Sequence, residues 1–219
     1  QTRLAGVNVQ SCIRLHGHNT STYLSIANQQ EETVLAINDT HILEQLTPQL
    51  LNGSRELIRH AGVVLADCNL TPEAIEWVFT IADDIPVFID TVSEFKAAKM
   101  KTWFTRIHTL KPTQKELAIL WGQPIHTDAD RVLAVNSLHQ QGVKRIFVCL
   151  EDESVFCSEK DGEQFLLTPP EHTVVDSFGA DDAFMAGLLY SFLEGSEFRE
   201  SARFAMACAA LSRASVSIN

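Results

Sequence analysis

Four short stretches, residues 63–66 (VVLA), 86–90 (PVFID), 107–110 (IHTL) and 145–150 (RIFVCL), alternate with helix-length segments. This alternation constrains the fold more than any other feature. Strands that are apolar throughout are buried on both faces, and helix-length connections return the chain for parallel pairing. The pattern predicts an α/β domain with a mainly parallel sheet. Helices are expected over residues 48–60, from Thr71-Pro72-Glu73 onward, 94–104, 114–121 ending at Gly122, 127–142, 180–193 and 198–213. Thr71 followed by Pro72 marks a capped helix start, and Thr127-Asp128-Ala129-Asp130 has the capping-box spacing. Residues 155–158 and 164–167 read as a hairpin and residues 173–175 as a short strand.

Before residue 47 the pattern differs. Residues 21–27 (STYLSIA) and 33–37 (TVLAI) are strand-like runs separated by the polar Asn28-Gln29-Gln30-Glu31-Glu32 turn. They predict a small β appendage, within residues 15–40 of a single domain spanning residues 1–219.

Charge and cysteine content narrow the function classes. The net charge is −11, so nucleic acid and anionic membranes are poor partners, although one local site can still take an anionic ligand. Five scattered cysteines without a CxxC pair read as free thiols in a reducing cytoplasm. No apolar run reaches the ~18 residues needed to span a bilayer. His16 and His18 alternate like strand neighbours, but no Cys or acidic partner stands at ligand spacing.

In an open α/β sheet, ligands collect at the carboxyl ends of the strands. The positions to inspect are Asp67-Cys68-Asn69, Asp90-Thr91, Lys111-Pro112-Thr113, Glu151 to Ser154 and Asp176 to Asp182. The last is the most informative. Asp176-Ser177-Phe178-Gly179-Ala180-Asp181-Asp182 opens an almost wholly apolar helix, whose burial would aim its free N–H groups at a cleft. An acid in that first turn could take a proton from a hydroxyl attacking a bound phosphate. Read from composition alone, the same acids simply complement the helix dipole. The P-loop pattern is absent.

This segment closely resembles the D-T-x-G-A-G-D signature of the ribokinase-like (PfkB) carbohydrate kinases. Leu110-Lys111-Pro112-Thr113-Gln114-Lys115-Glu116 is similar to the family's K-P-N-x-x-E segment. Residues 19–25, 36–39, 64–69 and 87–93 resemble segments of bacterial pseudouridine kinases, a branch of the family. The resemblance implies a three-layer α/β/α sandwich with a small β lid near the N-terminus. It also implies ATP-dependent phosphorylation of a sugar or nucleoside hydroxyl, pseudouridine among them.

Carried over by position, Asp182 is the general base and the backbone N–H groups of Gly179, Ala180 and Asp181 form the anion hole. Lys111, Thr113, Cys149, Ser154, Gly179 and Asp181 fall on the nucleotide side. Asn19, Asn38, Asn69 and Asp182 fall on the acceptor side. Glu116 organises Mg²⁺ through water. Asp176 and Ser177 lie near the loop that holds a monovalent cation such as K⁺ in some members. The β lid implies a homodimer contact. The resemblance further implies sheet strands and substrate-contacting sequence before Gln1, and nucleotide-contacting sequence after Asn219.

The sequence departs from the family at three places. Asp181 stands where the signature has glycine. Glu151-Asp152-Glu153-Ser154 replaces a glycine-bearing loop over the nucleotide. Thr113 replaces the usual asparagine, and Thr91 a proline common in the pseudouridine-kinase branch. A carboxylate near a triphosphate repels it, so weak ATP affinity, strong Mg²⁺ dependence or another phosphoryl donor is expected. The competing expectation is a degenerate kinase fold that binds a sugar or nucleoside without phosphorylating it.

Overall fold

The computed structural model describes residues 2–27, 33–171, 174–175 and 178–215. They divide into two units, Gln1–His60 with Asn69–Ile81, and Ala61–Cys68 with Ala82–Asn219.

The first unit holds an antiparallel ribbon of β1 (Thr22–Ala27) and β2 (Thr33–Asp39), with Thr22 opposite Asp39 and a register shift at Ile26/Ala27. Residues 28–32, expected as a polar turn, lie outside the described residues. Next come a 3-10 turn, His41–Gln45, and the helices α1 (Pro48–Leu51) and α2 (Arg55–Arg59). The continuous helix expected over 48–60 is broken by a 3-10 turn at Asn52–Ser54. Asn-Gly-Ser is a run of poor helix formers, and its glycine has the largest backbone entropy to lose. Helix α3 (Pro72–Ala82) starts as the sequence predicts, with Thr71 Oγ1 accepting from Ala74 N at 3.2 Å.

The second unit is built on a six-stranded sheet whose spatial order follows the chain: β3 (Val64–Asp67), β4 (Val87–Asp90), β5 (Thr109–Lys111), β6 (Arg145–Cys149), β7 (Val155–Glu159) and β8 (Gln164–Leu167). Strands β3 to β6 pair in parallel, whereas β6–β7 and β7–β8 pair antiparallel. The hairpin expected at 155–167 is therefore joined to the sheet through β6, and the sheet is mixed. Residues 94–104, expected as one helix, form α4 (Glu94–Ala97) and then a 3-10 stretch, Ala98–Arg106, kinked at Trp103. Three helices match their expected spans closely: α5 (Gln114–Trp121), α7 (Ala180–Leu193) and α8 (Phe198–Arg213). Helix α6 (Asp128–Gln140) stops just short of Gly142. No strand forms at Val174 and Val175, and Val175 N instead donates to Arg213 O at 2.8 Å.

Side-chain alternation assigns the faces of this sheet. Phe88, Phe147, Val155 and Cys157 point to one face, where they pack with Ala180, Phe184, Leu188, Phe198, Ala202 and Met206 of α7 and α8. The two helices approach closely at Gly187, where a Cβ would meet Ala205 Cα at 2.6 Å. Phe156 and Ser158 point to the other face, toward α6: the Arg131 guanidinium lies over the Phe156 ring and His139 Nε2 bonds Ser158 Oγ at 2.7 Å. This gives helix, sheet and helix layers. No helix among the described residues is long and apolar enough to cross a membrane.

Candidate functional site

Strands β4, β5 and β6 end side by side, and Asp90 stands opposite Lys111 in the β4–β5 register. Their side chains share the face covered by α7 and α8. Lys111 is only 5% exposed, and its Nζ lies 3.0 Å from Asp90 Oδ2 and 3.9 Å from Asp181 Oδ1 on α7. Burial works against the lysine's charge, but the Asp181 and Asp90 carboxylates outweigh it, and its pKa lies above the ordinary lysine range. Burial pushes the Cys149 thiol up to about 12, so that sulfur is neutral. Cys68 is wholly buried and likewise pushed up to about 12 by burial, so it is no nucleophile.

Asp90 is held twice, because its Oδ1 also accepts from Val92 N at 3.1 Å. Val92 has φ +65° in a three-residue turn closed by Ser93 N donating to Thr91 O at 2.7 Å. A β-branched residue at positive φ is strained, and the strain sits where the chain leaves β4 for the site. The turn accompanies a wholly buried Thr91, whose hydroxyl is shared between Glu116 Oε2 (2.6 Å) and Lys111 O (3.1 Å). Glu116 Oε2 also accepts from Thr113 N at 2.8 Å, and Thr113 Oγ1 accepts from Glu116 N at 3.3 Å, which completes a capping box on α5. Thr91, which the sequence marks as a strand-end position and a departure from the family, is thus an anchor of Glu116.

The start of α7 is different. Gly179 is its N-cap, with φ +81°, a conformation that glycine adopts without a Cβ penalty. No described side chain caps this terminus, and its first-turn acids are Asp181 and Asp182. Burial, together with Asp90, Asp181 and Asp67, raises the Asp182 pKa above the usual carboxylate range, against the pull of Lys111.

Beside this terminus lies a cavity of about 780 Å³, lined among others by Thr113, Cys149, Ser154, Asp181, Arg131 and Arg213. Four of the six residues expected on the nucleotide side therefore line one cavity. Ser154 is 1% exposed, and both its N–H and its hydroxyl are taken by Asp152 Oδ1. The acidic run is no bare loop. It forms the tight turn between β6 and β7, with Leu150 N donating to Ser154 O at 2.9 Å. Glu151 pairs with Lys115 at 3.1 Å and Glu153 with Arg213 at 3.4 Å. Sequence reasoning overlooked Arg131 and Arg213. Each has a buried Nε without a hydrogen-bond partner among the described residues, and each lines this cavity. Only the sheet and helix packing reveals that.

Asn19, Asn38 and Asn69 all belong to the first unit. Asn19 is exposed ahead of β1, Asn38 pairs with Tyr23 in the ribbon, and Asn69 is half-buried after β3. Asp176 and Ser177 lie outside the described residues. Among the described residues no group of three or more His, Cys, Asp or Glu could hold a metal ion.

The profile of the pfkB family carbohydrate kinases matches residues 1–218, and the chain belongs to that family. It has the family's ribokinase-like three-layer fold with the small N-terminal strand pair.

The chain is 76% identical over 219 residues to "Uncharacterized sugar kinase YeiI" of Escherichia coli (strain K12), covering 100% of this chain and 60% of the relative. It is 36% identical over 211 residues to the pseudouridine kinase of the same strain, covering 96% of this chain and 67% of that protein. The solved structure "Carbohydrate kinase from Agrobacterium tumefaciens" superposes with a TM-score of 0.73 at 27% identity, covering 90% of this chain and 63% of the other. The chain thus spans about three fifths of the length of the first relative. The branch expectation is corrected. Short shared segments pointed to pseudouridine kinases, but identity along the whole chain is twice as high to a sugar kinase. Segments at strand ends are shared across branches because the fold requires them, and so do not separate the branches.

Proposed function

We propose that this chain carries the phosphoryl-transfer half of a kinase that moves the terminal phosphate of ATP to a hydroxyl of a sugar or nucleoside. The supporting observation is that the first turn of α7, which no described side chain caps, reaches the cavity of about 780 Å³ at Asp181, with Lys111 Nζ 3.9 Å from that carboxylate. The N–H groups of Gly179, Ala180 and Asp181 bind the transferring phosphate and stabilise the charge that builds on it. Asp182 accepts the proton of the attacking hydroxyl. Its raised pKa makes it a stronger base than an ordinary aspartate. Arg131 and Arg213, which line the cavity, bring positive charge that suits a polyanion there.

Mg²⁺ would neutralise the donor's phosphates. The residues present fit an ion that arrives with the donor and keeps its waters. No preformed cage exists among the described residues, and Glu116, buried and fixed by Thr91 and Thr113, would orient one of those waters. The acidic turn that favoured a non-catalytic binding module carries paired charges, which removes much of its expected repulsion. Asp181 remains the one feature favouring that second reading.

Asp182→Asn tests the proposal. Phosphorylated product is expected to form on the order of 10²–10⁴-fold more slowly than with wild type, with ATP and acceptor binding retained. If wild type forms no phosphorylated product across a panel of sugars and nucleosides, the kinase reading fails and the binding module stands.

A further inference from the structure

The Lys111 ammonium sits between two carboxylates that are held very differently. Asp90 is 21% exposed, makes the shorter 3.0 Å contact and is fixed from its other oxygen by Val92 N. Asp181 is 67% exposed and stands at 3.9 Å, and no other described group bonds its side chain. The three charges sum to −1, and Asp182 adds a further acid on the same turn. A phosphoryl donor that reaches the α7 terminus meets Lys111 already occupied. Of its two partners, only the exposed one can swing into water at little cost.

We infer that Asp181 is an internal competitor for the phosphoryl donor: its carboxylate occupies Lys111 while the site is empty, and donor binding displaces it. The inference rests on the phosphoryl-transfer reading above and gives Asp181, which stands in a glycine position of the family signature, a role in setting donor affinity. Lys111 then exchanges one anionic partner for another while Asp90 holds it in place. The backbone N–H of Asp181 is untouched by the exchange, so one residue both supplies a donor to the anion site and restrains it. A site built this way rejects weakly charged anions, because they cannot outbid the carboxylate for the lysine. It admits a polyphosphate, whose several charges can.

The test is calorimetric titration of inorganic tripolyphosphate, without divalent cation, into wild type, Asp181→Asn, Asp181→Glu and Asp182→Asn. Asp181→Asn is expected to bind on the order of tenfold tighter than wild type. Asp181→Glu, which keeps the charge, should stay near wild type. Asp182→Asn separates competition from plain repulsion: it removes a like charge from the same turn, but Asp182 makes no ion pair with Lys111, so its gain should be clearly smaller. In turnover, Asp181→Asn should lower KM for ATP more than it changes kcat. Equal binding by wild type and Asp181→Asn, or equal gains from Asp181→Asn and Asp182→Asn, would overturn the competition and leave the kinase reading intact. If none of the four proteins binds tripolyphosphate and wild type has no turnover, the phosphoryl-transfer reading itself has failed, and this inference with it.

Discussion

Helices α5 and α7 both begin near the carboxyl ends of the central strands, and they begin in opposite ways. At α5 the terminus is closed. Thr113 and Glu116 cap each other, Thr91 pins the glutamate from the end of a neighbouring strand, and the N–H groups of this terminus have little capacity left for an anion. At α7 the terminus is open, with a left-handed glycine in place of a capping side chain and two acids in the first turn. A closed terminus builds the fold. An open one at the rim of a cavity leaves its N–H groups for an anion. Helix α6, capped by Thr127 and Asp130, is a second closed example.

The comparison breaks most directly at Asp182. Its replacement by asparagine should remove turnover and spare stability, since the residue is exposed on the open terminus. Beside the open terminus, Lys111→Met should leave the half-buried Asp90 without its partner and cost about 3 kcal/mol in chemical denaturation. A loss below about 1 kcal/mol would mean that the pair is not structural.

The two ends of β5 sharpen the same contrast. Lys111 at one end is held charged, whereas His108, just before the other, is held neutral. Burial, with Arg145 and Lys144 nearby, pushes His108 from 6.5 down to about 4. The unfolded chain therefore binds a proton that the folded chain resists. Stability from this group is full above pH 6.5 and is lost as pH falls toward 4. The loss should be on the order of 2 kcal/mol after allowance for the half-buried ring. The drop, measured by denaturation at pH 7 and pH 4.5, should shrink in His108→Gln. His139 contributes in the same direction, because burial lowers its pKa while its ring bonds Val143 O and Ser158 Oγ. The smallest effect belongs to a purely structural cap: Thr127→Ala should cost about 1 kcal/mol of stability and leave turnover unchanged. A fall in kcat there would blur the line between the two kinds of terminus.

Much of this contrast is legible in the sequence. The alternation of apolar runs with helices gives the sheet, and local spacing gives the α6 capping box and the α7 start. Both signals live within a few residues. What depends on neighbouring strands is not legible. Asp90 meets Lys111 through a register set by the whole sheet, and Thr91 reaches Glu116 across 25 residues. Nothing in a valine announces φ +65° at residue 92. The acids of 151–153 read as a solvated run because Arg213, which neutralises one of them, comes from the last turn of α8. The helix expected over 48–60 fails for the opposite reason: a local Asn-Gly-Ser break outweighs the periodicity.

The most direct test is an amide NMR titration of the full chain with Mg-ATP. The N–H resonances of Gly179, Ala180 and Asp181 should shift on binding, while those of the first turn of α8, Phe198 to Glu200, which does not line the cavity, stay in place. Shifts at both termini alike, or none at residues 179–181 when ATP is bound, would contradict the assignment of the open terminus as the phosphate site.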